Sequence, residues 1–176
     1  MTSDSGHVGL DLGLLLLRSV TGLTVMAHGY QKIFLGGRIA GTARWFDSIG
    51  MRPGRVHAIA AAGTELTAGL LLVAGFLSPL AGAALIGVMV VAAHTVHREH
   101  GFFIVRNGWE YNLVLAVVGA TVAIAGPGRF SLDRVTGLDT ALSGWVGAAV
   151  VVGGVLAGVL QLVLFFRPPI DVARSR

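Results

Sequence analysis

The chain predicts an all-α fold, a polytopic membrane helical bundle, on three observations. Of its 176 residues 54% are hydrophobic and only 12% charged, with a mean hydropathy of +0.77, against roughly 25% charged residues in an ordinary soluble domain. Runs with few or no charges begin near Leu10, Val56, Pro79, Gly108 and Gly144, each about 18 to 23 residues, the length a helix needs to cross a hydrocarbon core of about 30 Å. Lys and Arg total 13 and lie in short loops and tails, not in one run or stripe. A formal net charge of +4 therefore reports topology and not nucleic-acid binding.

The first span, about Leu10 to Leu35, follows "MTSDSGHVGLDLGLLLL", which carries acids where a secretory signal has a basic region. It is therefore expected to be retained and not cleaved. The span ends in "AHGYQKIFLGG", where Gly36 and Gly37 stop the helix. In the loop that follows, Trp45, Phe46, Ile49 and Met51 alternate with Arg44, Asp47 and Ser48. That pattern suits either a short helix lying in the interface or an irregular loop with Trp45 in the aromatic belt. Spans two and three are separated only by "GFLSPLAG", a turn that forces an antiparallel hairpin. Span four closes on "GPG" at Gly126 to Gly128, and span five carries Gly154 and Gly158. This small-xxx-small pair marks the expected face for a homodimer.

Lys32, Arg38, Arg44, Arg52 and Arg55 fall between spans one and two, Arg98 and Arg106 between three and four, and Arg167, Arg174 and Arg176 after five. The opposite side has only Arg129 and Arg134, near Asp133 and Asp139. The positive-inside rule then predicts an outside N-terminus and a cytoplasmic C-terminus in a multi-pass protein of the bacterial plasma membrane. With no cysteine, disulfides, thiolate iron-sulfur ligation and covalently attached c-type haem are excluded. Any redox role must draw on a bound cofactor or another subunit.

Ionisable groups inside spans are costly and point to function. Glu65 lies mid-span on a small face with Ala58, Ala61, Ala62, Ala68, Gly69 and Leu72, as helical periodicity places them. Arg18, Thr21, His28 and Lys32 share about a third of the first helix with Gly22 and Gly29. His28 lies about as deep as Glu65, and Arg18 farther out within reach of a bent side chain, which makes His28 or Arg18 the expected partner of Glu65. Lys32 is expected to snorkel to the cytoplasmic interface. In "HTVHREH" the spacing of His94, His97 and His100 lets one metal take two of them but not all three, so no three-histidine metal site is expected. His97 and His100 read as the wet end of the helix, whereas His94 lies one turn deeper. Glu110 opens span four, with Asn112 on the small face of Ala116 and Gly119. The expected site is a convergence of His28, Glu65, His94 and Glu110 in the cytoplasmic half, able to hold a quinone or a metal or to form a proton-carrying network. A haem b between His28 and His94 is the weaker alternative.

At these residues the chain resembles the DoxX family of small bacterial integral membrane proteins. The resemblance rests on "RSVTGLTVMAHGYQKIF", on "TELTAGLLLVAGFLSPLAG" with Glu65 in it, and on "NGWEYNLVLAVVGATVAIAGPGRFSLDR". It implies a four-helix DoxX-like core over residues 1–134; residues 135–176, read as a fifth transmembrane helix and a basic cytoplasmic tail, depart from the family pattern. It also implies a link to quinone-coupled redox complexes, since some members are named as subunits of a quinol oxidase or a thiosulfate:quinone oxidoreductase. In actinobacteria a DoxX protein is thought to tether a superoxide dismutase and a sulfurtransferase. The family's polar positions match His28, Lys32, Glu65, His94 and Glu110.

Together these readings predict a membrane subunit of a quinone-linked respiratory or oxidative-stress complex, whose inward His and Glu residues contact quinone or relay protons. The alternatives are a non-catalytic scaffold that recruits soluble redox enzymes and a small transporter or lipid-handling protein. Expected partners are the bilayer and other subunits of such a complex.

Overall fold

The computed structural model describes residues 3–168. The described residues form α1 (Ser3–Phe34), α2 (Arg38–Ser48), α3 (Gly54–Ala74), α4 (Ser78–Ala92), α5 (Glu110–Ala125), α6 (Leu132–Thr136), α7 (Leu138–Leu142) and α8 (Trp145–Phe165). α1, α3, α8 and the helical stretch Ser78–His100, which α4 opens, are long and apolar enough to cross a membrane. α5 has 16 residues, about 24 Å of rise, and falls short of the full span expected there. The loop before it carries Phe102, Phe103, Ile104 and Val105, all exposed, as suits apolar residues seated at the membrane interface.

The polarity of the molecule is inverted relative to a soluble domain. Arg18, Thr21, His57, Glu65, Ser78, Asn112, Ser131 and Asp133 are buried, while Leu16, Leu23, Ile59, Leu70, Val117 and Val163 are exposed. Such a surface belongs against hydrocarbon, where every buried polar group must find its partner inside the protein. This is a multi-pass membrane protein in a lipid bilayer.

Glycines set how closely the spans approach. A side-chain carbon at Gly22 would stand 2.5 Å from the carbonyl oxygen of Gly69, so α1 and α3 touch backbone to backbone. With no hydrophobic drive between helices in lipid, such close contact supplies the packing energy. The contacts Gly22–Gly69 and Gly29–Ala62 also show that the two helices run antiparallel. One end of the bundle therefore gathers the end of α1 and the start of α3, here called the Lys32 end, and the other is the Arg18 end.

α8 packs on α4 through Gly154 and Gly158. A side-chain carbon at Gly154 would lie 2.6 Å from the carbonyl oxygen of Ala83, and one at Gly158 would lie 2.9 Å from Cβ of Val90. The pair expected to form a homodimer face is thus already covered within the chain, and that expectation is corrected. The stretch after α1 is the helix α2, not an irregular loop, with Ala43 and Phe46 turned inward. The basic C-terminal tail is described only at its start, since Arg174 and Arg176 lie outside the described residues.

Candidate functional site

Glu65 is 6% exposed on the inward face of α3, the face its small neighbours predicted. Its partner is Lys32, whose Nζ donates to both carboxylate oxygens at 2.8 and 2.6 Å. The partner expected from depth was His28 or Arg18, and the direction of helical side chains explains the difference. Every Cα–Cβ bond tilts toward its helix N-terminus. Lys32 therefore leans back into the bundle, and Glu65, on the antiparallel α3, leans toward the Lys32 end to meet it. The same tilt carries Arg18 the other way.

A cavity of about 130 Å³ opens beside this ion pair, room for several waters or a small ring. Its polar wall is Lys32, His57, Thr64, Glu65, Thr95 and Gln161, and its apolar wall includes Trp45, Phe46, Val88 and Val91. His57 is 3% exposed and its ring packs edge-on against Phe165 at 5.0 Å. The amide nitrogen of Gln161 lies 3.1 Å from Nδ1 of His57; with that amide donating, the ring proton sits on Nε2. That Nε2 is buried with no hydrogen-bond partner among the described residues.

His57 escaped the sequence reading, although a signal existed. It stands four residues before Ala61 and seven before Thr64, on a helical stripe adjoining Glu65. Gln161 had no comparable signal, because only the packing of α8 brings it to α3.

The expected convergence of His28, Glu65, His94 and Glu110 does not form. His28 is exposed on α1, because it lies at the edge of the polar arc, about 80° from Arg18 on a helical wheel. His94 belongs to a π-helical turn, Ala93–His97, where the α-helical angles used to aim it no longer hold. Its ring stacks edge-on against Phe166 at 5.2 Å. Glu110 accepts a hydrogen bond from the backbone N–H of Ile104 at 2.9 Å and so closes the loop before α5. His97 and His100 bond to the carbonyls of Asn107 and Val96, the wet helix end that was expected. Among the described residues no three His, Asp or Glu side chains come together as a metal ion would need.

Arg18 is built into the opposite end. Its guanidinium, 1% exposed, donates to the carbonyls of Leu72 at 3.0 Å and Pro127 at 3.2 Å, and also to those of Val73 and Phe130. It thereby adds a donor to the last-turn carbonyls of α3 and ties that turn to the loop after α5. Asp133 does the converse for α4, accepting from the backbone N–H groups of Leu77 at 2.7 Å and Ser78 at 2.9 Å. The segment "GPGRFSLD" is therefore a clasp across the α3–α4 hairpin.

The fold and this cavity define a class, small helical membrane proteins with a charged, partly polar chamber between their spans. Within the class, a family model described as DoxX matches residues 13–98. The chain is also 30% identical over 123 residues to "Putative oxidoreductase CatD" of Bacillus subtilis (strain 168), an alignment that covers 70% of this chain and 86% of that protein. The chain belongs to the DoxX family. No solved structure matches it.

Proposed function

We propose that this protein is the membrane subunit of a quinone-linked redox complex and that the cavity holds the quinone head group. One observation carries the reading: His57, whose Nε2 is buried without a partner among the described residues, lines a mostly apolar chamber with the Lys32–Glu65 pair. The Nε2–H of His57, with the amide of Gln161 and the ammonium of Lys32, suits the carbonyl oxygens of a quinone ring, and Trp45, Phe46 and Val91 suit its faces. A bound quinone would supply reversible uptake of electrons and protons. The residues of the chain handle the protons. Lys32 and Trp45 line both the cavity and a surface cleft with Gln31, Gly41 and Thr42. A proton that enters by the cleft thus meets Lys32 first and Glu65 behind it.

With no thiol in the chain, the electrons come from another subunit. Arg38, Arg44, Arg52 and Arg55 are exposed at the Lys32 end and offer that subunit a basic docking face, which the scaffold reading would use equally. The name of the Bacillus relative, an oxidoreductase, is of the same kind. A haem b finds no support here, because exposed His28 and Phe166-packed His94 do not present an axial pair. In this reading α8 belongs to the working unit, since Gln161 lines the cavity. The division between residues 1–134 and residues 135–176 is then one of added sequence and not of separate function. The Lys32 end faces the cytoplasm, with the N-terminus outside the bacterial plasma membrane.

Glu65→Gln is expected to abolish quinone-dependent electron transfer in isolated membranes while the amount of folded protein is unchanged. Loss of folded protein instead would assign Glu65 to structure alone.

A further inference from the structure

The cavity adjoins a groove on the membrane side. Thr64, Val88 and Gln161 line it and also line a groove between α3, α4 and α8. This groove has a volume of about 530 Å³, and the rest of its wall is apolar and mostly small, including Ala84, Gly87, Gly153 and Ala157. Gly153 and Ala157 are exposed on the outer side of α8, whose neighbours Val152, Leu156 and Leu160 face lipid.

We propose that this groove takes the hydrocarbon tail of the ligand whose head occupies the cavity. The ligand class is then a long-tailed, lipid-soluble quinone that enters sideways from the bilayer, not a small water-soluble one. The inference rests on the quinone reading above. It is carried by adjacency: the cavity with buried, unpartnered His57 and a slot open to lipid share Thr64, Val88 and Gln161 as walls. The chemistry changes from the cavity to the groove from hydrogen-bonding to apolar, matching a polar ring on a hydrocarbon chain. The close α4–α8 contact at Gly154 and Gly158 keeps the floor of the slot at backbone level, leaving width for a chain.

The test uses the full protein in lipid nanodiscs, with Trp109→Phe and Trp145→Phe leaving Trp45, which lines the cavity, as the fluorescent reporter. Two probes are titrated, a tailless benzoquinone and the same ring with a decyl tail, and each is expected to quench Trp45. A Cβ at Gly153, in the wall of the groove, meets no atom within 4 Å, so Gly153→Phe adds a ring at the groove without a backbone clash. Each buried methylene of a tail contributes to affinity. Gly153→Phe should therefore weaken the decyl probe by about tenfold or more and leave the tailless probe unchanged. Ala157→Leu should act in the same direction and guards against a folding defect peculiar to the first variant. If both variants bind the decyl probe as the parent does, while His57→Leu loses both probes, the groove assignment is overturned and the quinone reading stands. If neither probe quenches Trp45 in the parent, both fall.

Discussion

Lys32 and Glu65 neutralise each other but are not equivalent. Lys32 borders a surface cleft as well as the cavity, whereas Glu65 is enclosed on α3. When its partner is lost, Lys32 can swing its ammonium toward water, but Glu65 has no such exit. Removing one partner of a buried pair costs roughly 3–5 kcal/mol when the other charge is stranded. Lys32→Met should therefore destabilise the protein by about 3 kcal/mol and Glu65→Gln by only about 1 kcal/mol, with the double variant recovering part of the first loss. Equilibrium unfolding in detergent micelles measures all three, and equal costs for the two single changes would show that Lys32 has no exit. The same pair marks how far residues could be placed from sequence. Burial of Glu65 followed from its small-residue face, but its partner did not follow from depth, because rise along a helix ignores the direction in which side chains lean. His28, one position from buried Gly29, shows how sharply a residue at the edge of an arc is decided by packing.

At the scale of elements, contacts between small residues fix which helices are neighbours. The hairpin of α3 and α4, the helical stop before Gly36 and the glycine-lined faces were legible in the sequence, because each depends on local backbone chemistry. The π-helical turn at Ala93–His97 and the shortness of α5 were not, since no local signal separates them from a continued α-helix. The role of Gly154 and Gly158 was misjudged for a related reason: a small-xxx-small pair specifies close approach without naming the partner. Gly154→Leu provides the check. Its side chain would press on the backbone of Ala83, and overpacking of this kind typically costs about 1–3 kcal/mol. The variant should unfold more readily while its mass by light scattering in detergent equals that of the parent. Unchanged stability with an altered mass would return the pair to a dimer interface.

At the scale of the molecule, the distribution of charge and the cavity point the same way. The Lys32 end carries Arg38, Arg44, Arg52, Arg55, Arg98 and Arg106, against Arg129 and Arg134 at the Arg18 end. Such an asymmetry sets orientation during insertion. A green fluorescent protein fused at the C-terminus should fluoresce, and alkaline phosphatase fused at the same place should be inactive; the reverse pattern would invert the topology and put the cavity on the outer side. The proposed quinone ring would sit in the chamber lined by Lys32, His57, Glu65 and Gln161. The most direct measurement is the quinone content of a solvent extract of the protein purified in mild detergent, set against the same extract from His57→Leu. The account predicts near-stoichiometric quinone in the parent and its loss in the variant, with both proteins folded. A folded parent carrying no more quinone than the variant would contradict it.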